Sequence, residues 1–162
     1  MITQGAKITT RCADCGGALV RDVGQFLDRG RLCWGIEASC RTCPAAWCEE
    51  DGDGPTPEEI RQALLAEHGP ARLYLVRPEL SLVPVLRALR AAHGLSPAQA
   101  RAMAVELRTA GLAGTLVEVE FTAAALRDRS VAVTVETSAG RPPGEPSRTA
   151  WAAPIERRPP GP

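Results

Sequence analysis

Short apolar runs separated by turn-forming residues make up the first third of the chain. Strand-like segments cover 8–11 and 18–21, and a second pair covers 32–39 and 45–47. The stretches between the members of each pair are short and contain cysteine with glycine or proline. Such runs bounded by turn residues are typical of strands, so the pattern predicts two β-hairpins.

A capped helix is predicted in the connecting segment 53–70. Thr56 is the expected N-cap, Pro57 the first helical residue, and Glu59 the residue that completes a capping box. The apolar face of this helix consists of Ile60, Ala63 and Leu64. We interpret the helix as a connector that docks the hairpins onto the following segment.

The segment 71–137 predicts a small domain of mixed secondary structure. The expected elements are, in order, strand 73–76, helix 81–93, a helix from 96 to Gly111, strand 117–121, short helix 122–129 and strand 131–136. Ser96 and Gln99 have capping-box spacing, and Gly94 follows the first long helix. The predicted fold class is therefore α+β, with helices on one face of a three-stranded sheet.

Two pairs of cysteines occupy the turns of the predicted hairpins. They form the motifs Cys12-x-x-Cys15 and Cys40-x-x-Cys43, and glycine or proline follows the second cysteine of each motif. Two such pairs in one short segment have the spacing of a tetrahedral Zn²⁺ site. We therefore predict that residues 1–52 form a zinc ribbon, with these four cysteines as ligands of a structural Zn²⁺.

Two disulfides are the alternative interpretation of these cysteines. Disulfides require an oxidising compartment, whereas residues 1–11 lack the apolar core of a signal peptide and no later run predicts a membrane span. We expect a cytoplasmic protein with reduced thiols. The remaining cysteines, Cys33 and Cys48, are substitute ligands or redox groups in one interpretation. In the favoured one they are small buried side chains beside Trp34 and Trp47.

Charge and composition argue against a protein that mainly binds phosphate backbones. The 162 residues have a formal net charge of zero, and only 4% are aromatic, whereas nucleic-acid binding requires clustered lysine and arginine. Acidic residues gather after the second cysteine pair, and this edge either faces a basic partner or is simply solvated. The acidic residues are Glu49, Glu50, Asp51, Asp53, Glu58 and Glu59.

Two predicted helices resemble a known family. The run that carries the resemblance is Val85-Leu86-Arg87-Ala88-Leu89-Arg90-Ala91-Ala92-His93-Gly94-Leu95, followed by Ala100-Arg101. It resembles the helix-turn-helix core of the C-terminal domain of the bacterial ribosomal stalk protein, which recruits translational GTPases. The resemblance implies that Arg87, Arg90 and Arg101 contact a partner. Ala98 and Leu82 stand where that family usually has lysine, and the ribbon replaces its dimerisation region.

The residues themselves also allow a basic surface. Arg87 and Arg90 are three positions apart on one helical face, and a neighbouring antiparallel helix would bring Arg101 close to them. Such a trio suits a carboxylate or phosphate, although a solvated basic face is the simpler interpretation.

Residues 138–162 are rich in proline and are expected to be disordered. Within them, Trp151 and Ile155 are candidate anchors of a short motif.

No catalytic constellation is recognisable in the sequence, so we predict a protein without enzymatic activity. The leading hypothesis is a zinc-containing protein-binding module, whose partner by resemblance is a translational GTPase or another translation component. The alternative is an immunity protein that binds and neutralises a cognate toxin by surface complementarity. A lesser alternative is a zinc ribbon that binds nucleic acid, which steep salt dependence of affinity would reveal.

Overall fold

A four-stranded antiparallel sheet occupies the N-terminal part of the computed structural model, which describes residues 2–51, 55–79 and 81–137. Its strands are β1 (Thr3–Arg11), β2 (Ala18–Asp28), β3 (Arg31–Cys40) and β4 (Ala46–Asp51), paired in that order. The predicted hairpins therefore belong to one continuous sheet. They are joined because β2 and β3 extend to a tight turn at Arg29 and Gly30, whose φ angles of 47° and 77° suit a two-residue hairpin.

Helix α1 (Glu58–His68) covers one face of this sheet. We call this the inner face; it carries Val23, Trp34 and Ile36, and the predicted apolar residues Ile60 and Leu64 pack against them with no solvent exposure. The cap predicted at Thr56 is wrong. Pro57 occupies the N-cap position and no side chain caps the helix. The Thr56 hydroxyl instead accepts a hydrogen bond from Gln25 Nε2 at 2.6 Å.

A three-stranded antiparallel sheet and three helices follow. The strands are β5 (Ala71–Leu75), β6 (Leu112–Gly114) and β7 (Val133–Thr137), in the order β6-β5-β7. The helices are α2 (Val83–His93), α3 (Pro97–Thr109) and α4 (Leu116–Arg127). The elements occur in the order predicted for 71–137. Leu73, Leu89, Leu107 and Leu126 meet in a core that is separate from the one beneath α1.

The strand predicted at 117–121 is wrong, because these residues begin α4 and the middle strand lies earlier, at β6. Thr115 and Glu118 form a capping box that starts the helix. The alternation of Val117 and Val119 with glutamates is typical of a half-buried strand, yet these residues are helical. Helix α4 contacts α2 and strands of both sheets, so its apolar residues lie on more than one side of the helix and do not show a helical period.

The predicted ends of the two preceding helices are largely confirmed. Ser96 and Gln99 form a capping box at the start of α3, and Gly94 ends α2 in a left-handed conformation with φ of 63°.

The tail 138–162 and Asp53 lie outside the described residues. Within the described ranges, no helix has the length and apolar character needed to cross a membrane.

Candidate functional site

Four cysteine thiols converge at one end of the four-stranded sheet. Cys12 and Cys15 lie between β1 and β2, Cys40 ends β3, and Cys43 lies between β3 and β4. Antiparallel pairing of consecutive strands brings both loops to the same end of the sheet, so residues 25 to 31 positions apart in sequence become neighbours. All four Sγ atoms lie within 4.8 Å of one another. The cysteine cluster predicted from the sequence is therefore present.

The distances between the sulfur atoms fit one tetrahedral metal ion. Cys12 Sγ lies 3.8 Å from Cys43 Sγ, and Cys15 Sγ lies 3.5 Å from Cys40 Sγ. Four Zn–S bonds of about 2.3 Å in a tetrahedron place their sulfurs about 3.8 Å apart. A disulfide requires a separation of about 2.0 Å, so the geometry corresponds to four thiols and not to two disulfides. The residues present fit a metal held by four thiolates.

Backbone N–H groups favour thiolate formation at this cluster. Thr42 N donates to Cys40 Sγ at 3.3 Å, and this bond, together with the N–H of Cys43, lowers the pKa of Cys40 to about 6. The N–H of Ala45 lowers the pKa of Cys43, but hydrogen bonds with the other thiols and burial outweigh it and raise that pKa to about 12. Negative charges on neighbouring thiolates this close together repel one another. A bound cation removes this conflict by supplying positive charge.

Gly17 allows the two cysteine loops to approach each other. A Cβ atom built on Gly17 would collide with the side chain of Thr42 in the opposite loop and lie 3.2 Å from Cys15 Sγ. The N–H of Gly17 also donates to Cys15 Sγ at 3.4 Å. A glycine is needed at this position because the second loop occupies the space of a side chain.

The prediction for the remaining two cysteines is correct in one respect and wrong in another. Neither Cys33 nor Cys48 belongs to the cluster of four, and Cys33 is buried with 4% exposure. Cys48, however, is exposed. Neither lies beside its tryptophan neighbour, because consecutive strand residues point to opposite faces of the sheet. Trp34 faces α1, whereas Cys33 lies on the opposite face.

The three arginines selected from the sequence lie on the surface of α2 and α3. Arg87, Arg90 and Arg101 are all exposed. Arg90 Nε donates to the carbonyl oxygen of Leu95 at 3.4 Å, in the turn that connects the two helices. No ion pair within the described ranges involves any of the three. Glu59 of the predicted acidic edge, by contrast, is paired with Arg21 at 2.7 Å.

A partly buried polar junction, absent from the sequence prediction, connects the two sheets. We call this set the junction; it consists of Gln4, Gln25, Arg61, Thr115 and Glu118. Gln25 is fully buried on the inner face; its amide oxygen accepts from Thr115 Oγ1, and its amide nitrogen donates to Thr56. Gln4 Oε1 accepts a hydrogen bond from the backbone N–H of Val117 at 3.4 Å. This N–H lies in the first turn of α4, where backbone donors have no partner within the helix.

His93 borders the cleft between the β2–β3 turn and helices α2 and α4. Its Nε2 lies 3.0 Å from Thr122 Oγ1, and that hydroxyl donates to the carbonyl oxygen of Glu118. His93 Nε2 must therefore be the donor. Burial lowers the pKa of His93, and the charge of Glu118 opposes this shift. The imidazole is thus a neutral structural donor whose polar contact is already satisfied.

Comparison of the chain with protein-family models, with curated proteins and with solved structures finds no match. The cysteine cluster, the arginines and the junction are therefore interpreted from their own geometry. The spacing Thr115-x-x-Glu118 is the one signal of the junction in the sequence, because it matches a capping box. The glutamine contacts leave no comparable signal.

Proposed function

We propose that this chain is a non-catalytic protein-binding module whose N-terminal sheet is a zinc ribbon stabilised by one structural Zn²⁺. The observation that carries the metal assignment is the set of four thiols within 4.8 Å of one another. Sulfur separations of 3.5 and 3.8 Å suit a single ion, and four thiolate ligands in a tetrahedron favour Zn²⁺ or iron over harder cations. Zn²⁺ is the ion proposed, because closed sites of four cysteines in ribbons are typical of structural zinc.

Four thiolates complete the tetrahedral coordination of Zn²⁺. Catalytic zinc keeps one position for water or substrate, with three protein ligands. A site with four cysteine ligands has no such position, so the metal supports folding and not chemistry. Its contribution is to fix two loops that contain few apolar residues of their own.

The proposed binding surface consists of Arg87, Arg90 and Arg101. Their guanidinium groups are exposed and have no internal carboxylate partner within the described residues. Such groups are available for bidentate hydrogen bonds to carboxylates of a partner. The proposed partner is a protein with an acidic patch, and the resemblance to the ribosomal stalk domain favours a translational GTPase or another translation component.

A pull-down from native lysate, with bound proteins identified by mass spectrometry, tests this proposal. The wild-type chain is compared with the triple variant Arg87→Glu, Arg90→Glu and Arg101→Glu. The matched control is Arg29→Glu, Arg77→Glu and Arg129→Glu, which changes the net charge by the same amount at exposed positions outside α2 and α3. We expect a translation component to be recovered with the wild type and the control but not with the triple variant.

Other outcomes would overturn parts of the proposal. Recovery of one unrelated toxin would indicate an immunity protein. Equal recovery of a translation component with the Arg87, Arg90 and Arg101 variant and with its control would show that these three arginines do not form the binding surface. Tight binding of RNA or DNA at physiological salt, with an affinity that falls steeply as the salt concentration rises, would identify nucleic acid and not a protein as the partner.

A further inference from the structure

The two sheets of the fold end in four edge strands, β1 and β4 in one sheet and β6 and β7 in the other. The free N–H and C=O groups of an edge strand can pair with another chain, and proteins block most edges with charges, short strands or covering groups. At β1, His68 Nε2 donates to the carbonyl oxygen of Gly5 at 2.8 Å, and Lys7 lies on the same strand. At β4, residues 49–51 are all acidic, and β6 is only three residues long. Strand β7 is longer than β6, carries a single charged residue and is blocked by no group within the described ranges.

The outward backbone groups of β7 follow from its pairing with β5. Val76 N donates to the carbonyl oxygen of Ala132 at 3.0 Å, just before β7 begins. Because hydrogen-bonded and non-hydrogen-bonded residues alternate along an antiparallel strand, Thr134 and Glu136 also direct their N–H and C=O groups towards β5. The residues that direct these groups to the free edge are Val133, Val135 and Thr137. In the part of the chain that the structure describes, no strand pairs with this edge.

The side chains of β7 also fit one further strand. Val133 and Val135 pack against the core beneath the helices but are only half-buried, since β7 is the last strand on that side of the sheet. Thr134 and Glu136 are exposed on the opposite face. A strand added at this edge would remove apolar surface of both valines from water, which favours association.

We propose that a second copy of this chain supplies that strand, with β7 antiparallel to β7 across a two-fold axis at Val135. Each Val135 then faces its counterpart, and Val133 faces Thr137 of the second copy, so that the outward groups of both strands pair in about six hydrogen bonds. Thr134 faces Glu136 of the second copy, which avoids contact between like charges. The two three-stranded sheets join into one continuous sheet.

Neighbouring registers of the two strands are less favourable. A shift of two residues in one direction places Glu136 opposite Glu136 of the second copy, where like charges repel. A shift in the other direction places Thr137 opposite Val131, whose N–H already donates to the carbonyl oxygen of Leu126 at 3.0 Å. The self-complementarity of the sequence around Val135 therefore favours a second copy over an unrelated strand. The pairing does not depend on the proposed binding function.

Sedimentation equilibrium of the full-length, zinc-loaded chain tests the proposal. The interface is a single short pair of strands, so we expect a dimer with a dissociation constant between about 1 μM and 1 mM. Thr134→Glu places a like charge opposite Glu136 twice in the dimer and is expected to raise this constant by about tenfold or more. Thr134→Gln is the matched neutral control and is expected to leave it nearly unchanged. The double variant Thr134→Glu, Glu136→Thr exchanges the two residues and is expected to restore the wild-type constant.

Three results would overturn the proposal. A mass of one chain at every concentration up to about 1 mM would show that this edge does not bind a second copy. Equal dissociation constants for Thr134→Glu and Thr134→Gln would place the contact between copies elsewhere. A double variant that dimerises as weakly as Thr134→Glu would contradict the two-fold register at Val135. Circular dichroism of each variant checks that the fold is retained, which is expected because both substituted residues are exposed.

Discussion

Arg61 Nε donates to both carboxylate oxygens of Glu118, at 3.0 and 3.1 Å. Arg61 belongs to α1, which packs on the four-stranded sheet, and Glu118 belongs to α4, which packs on the three-stranded sheet. The same carboxylate accepts the N–H of Thr115 and so caps α4. One side chain therefore starts a helix and connects the two halves of the fold.

Removal of the Glu118 carboxylate is expected to destabilise the whole chain. Glu118→Ala loses the cap, the Arg61 contact and a hydrogen bond from Gln25, and we expect a decrease of about 2–3 kcal/mol in the free energy of unfolding. Glu118→Gln retains the capping geometry and should cost about 1 kcal/mol. Urea unfolding followed by circular dichroism measures both values.

Glu120→Ala is the control for this prediction. Glu120 lies on the same helix and pairs with the more exposed Arg127, at 2.9 Å. Its loss should cost less than about 1 kcal/mol. A double-mutant cycle of Glu118 and Arg61 should give a coupling of about 0.5–1.5 kcal/mol. Equal effects at Glu118 and Glu120 would contradict the proposed role of the junction.

Stability should depend on the protonation of His93. Burial lowers its pKa below the ordinary value of 6.5, so the unfolded chain binds a proton more readily than the folded one. The contribution of His93 to the free energy of unfolding is therefore fully present above pH 6.5 and is lost as the pH falls below that value. His93→Gln should have a smaller slope of unfolding free energy between about pH 5.5 and 7, a range in which ordinary carboxylates are already ionised. An identical slope in the variant would show that His93 does not contribute.

Gly17→Ala should weaken metal binding. The added methyl group would collide with Thr42 and crowd Cys15 Sγ, so the two loops would have to separate. We expect the dissociation constant of Zn²⁺, measured by competition with a chromophoric chelator, to rise by roughly tenfold or more. Gly5→Ala is the control, because a Cβ there meets only the carbonyl oxygen of Val23 at 3.5 Å. Unchanged affinity in Gly17→Ala would contradict the close packing of the loops.

Metal removal should loosen one end of the four-stranded sheet first. The cysteine loops are held by few backbone hydrogen bonds, such as Cys12 N to Gly17 O and Cys40 N to Ala45 O. After chelation we expect faster amide hydrogen exchange at 8–19 and 37–47, while α2, α3 and α4 keep their protection, because their core is separate. Simultaneous loss of protection throughout the chain would indicate a single cooperative unit.

The sequence predicts the cluster of four cysteines well because its signal is local. Two Cys-x-x-Cys motifs and the turn residues beside them place each cysteine pair in a hairpin loop, and antiparallel pairing of consecutive strands brings both loops to one end of the sheet. The caps at Ser96 and Gly94 are local signals of the same kind. Each depends on residues within a few positions of one another.

The features that the sequence does not predict depend on contacts between distant segments. Val117 and Val119 alternate like strand residues, yet α4 is a helix, because several elements surround it and bury more than one side. Thr56 has the position of a cap, but Gln25 from another element engages its hydroxyl. The junction brings residues 90 and more positions apart into hydrogen-bond contact. The hydrophobic periodicity of a sequence reflects positions within one helix or strand, so it gives no sign of hydrogen bonds between residues so far apart.

X-ray absorption spectroscopy at the zinc edge of the purified chain, combined with metal analysis, is the sharpest test of the proposed structural zinc. We expect one zinc per chain with four sulfur ligands at about 2.3 Å and no light-atom ligand. An oxygen or nitrogen ligand in place of a sulfur would show that one of the four cysteines does not bind the metal, and the four-thiolate site would be contradicted. Iron in place of zinc, or no stoichiometric metal, would contradict the structural zinc itself.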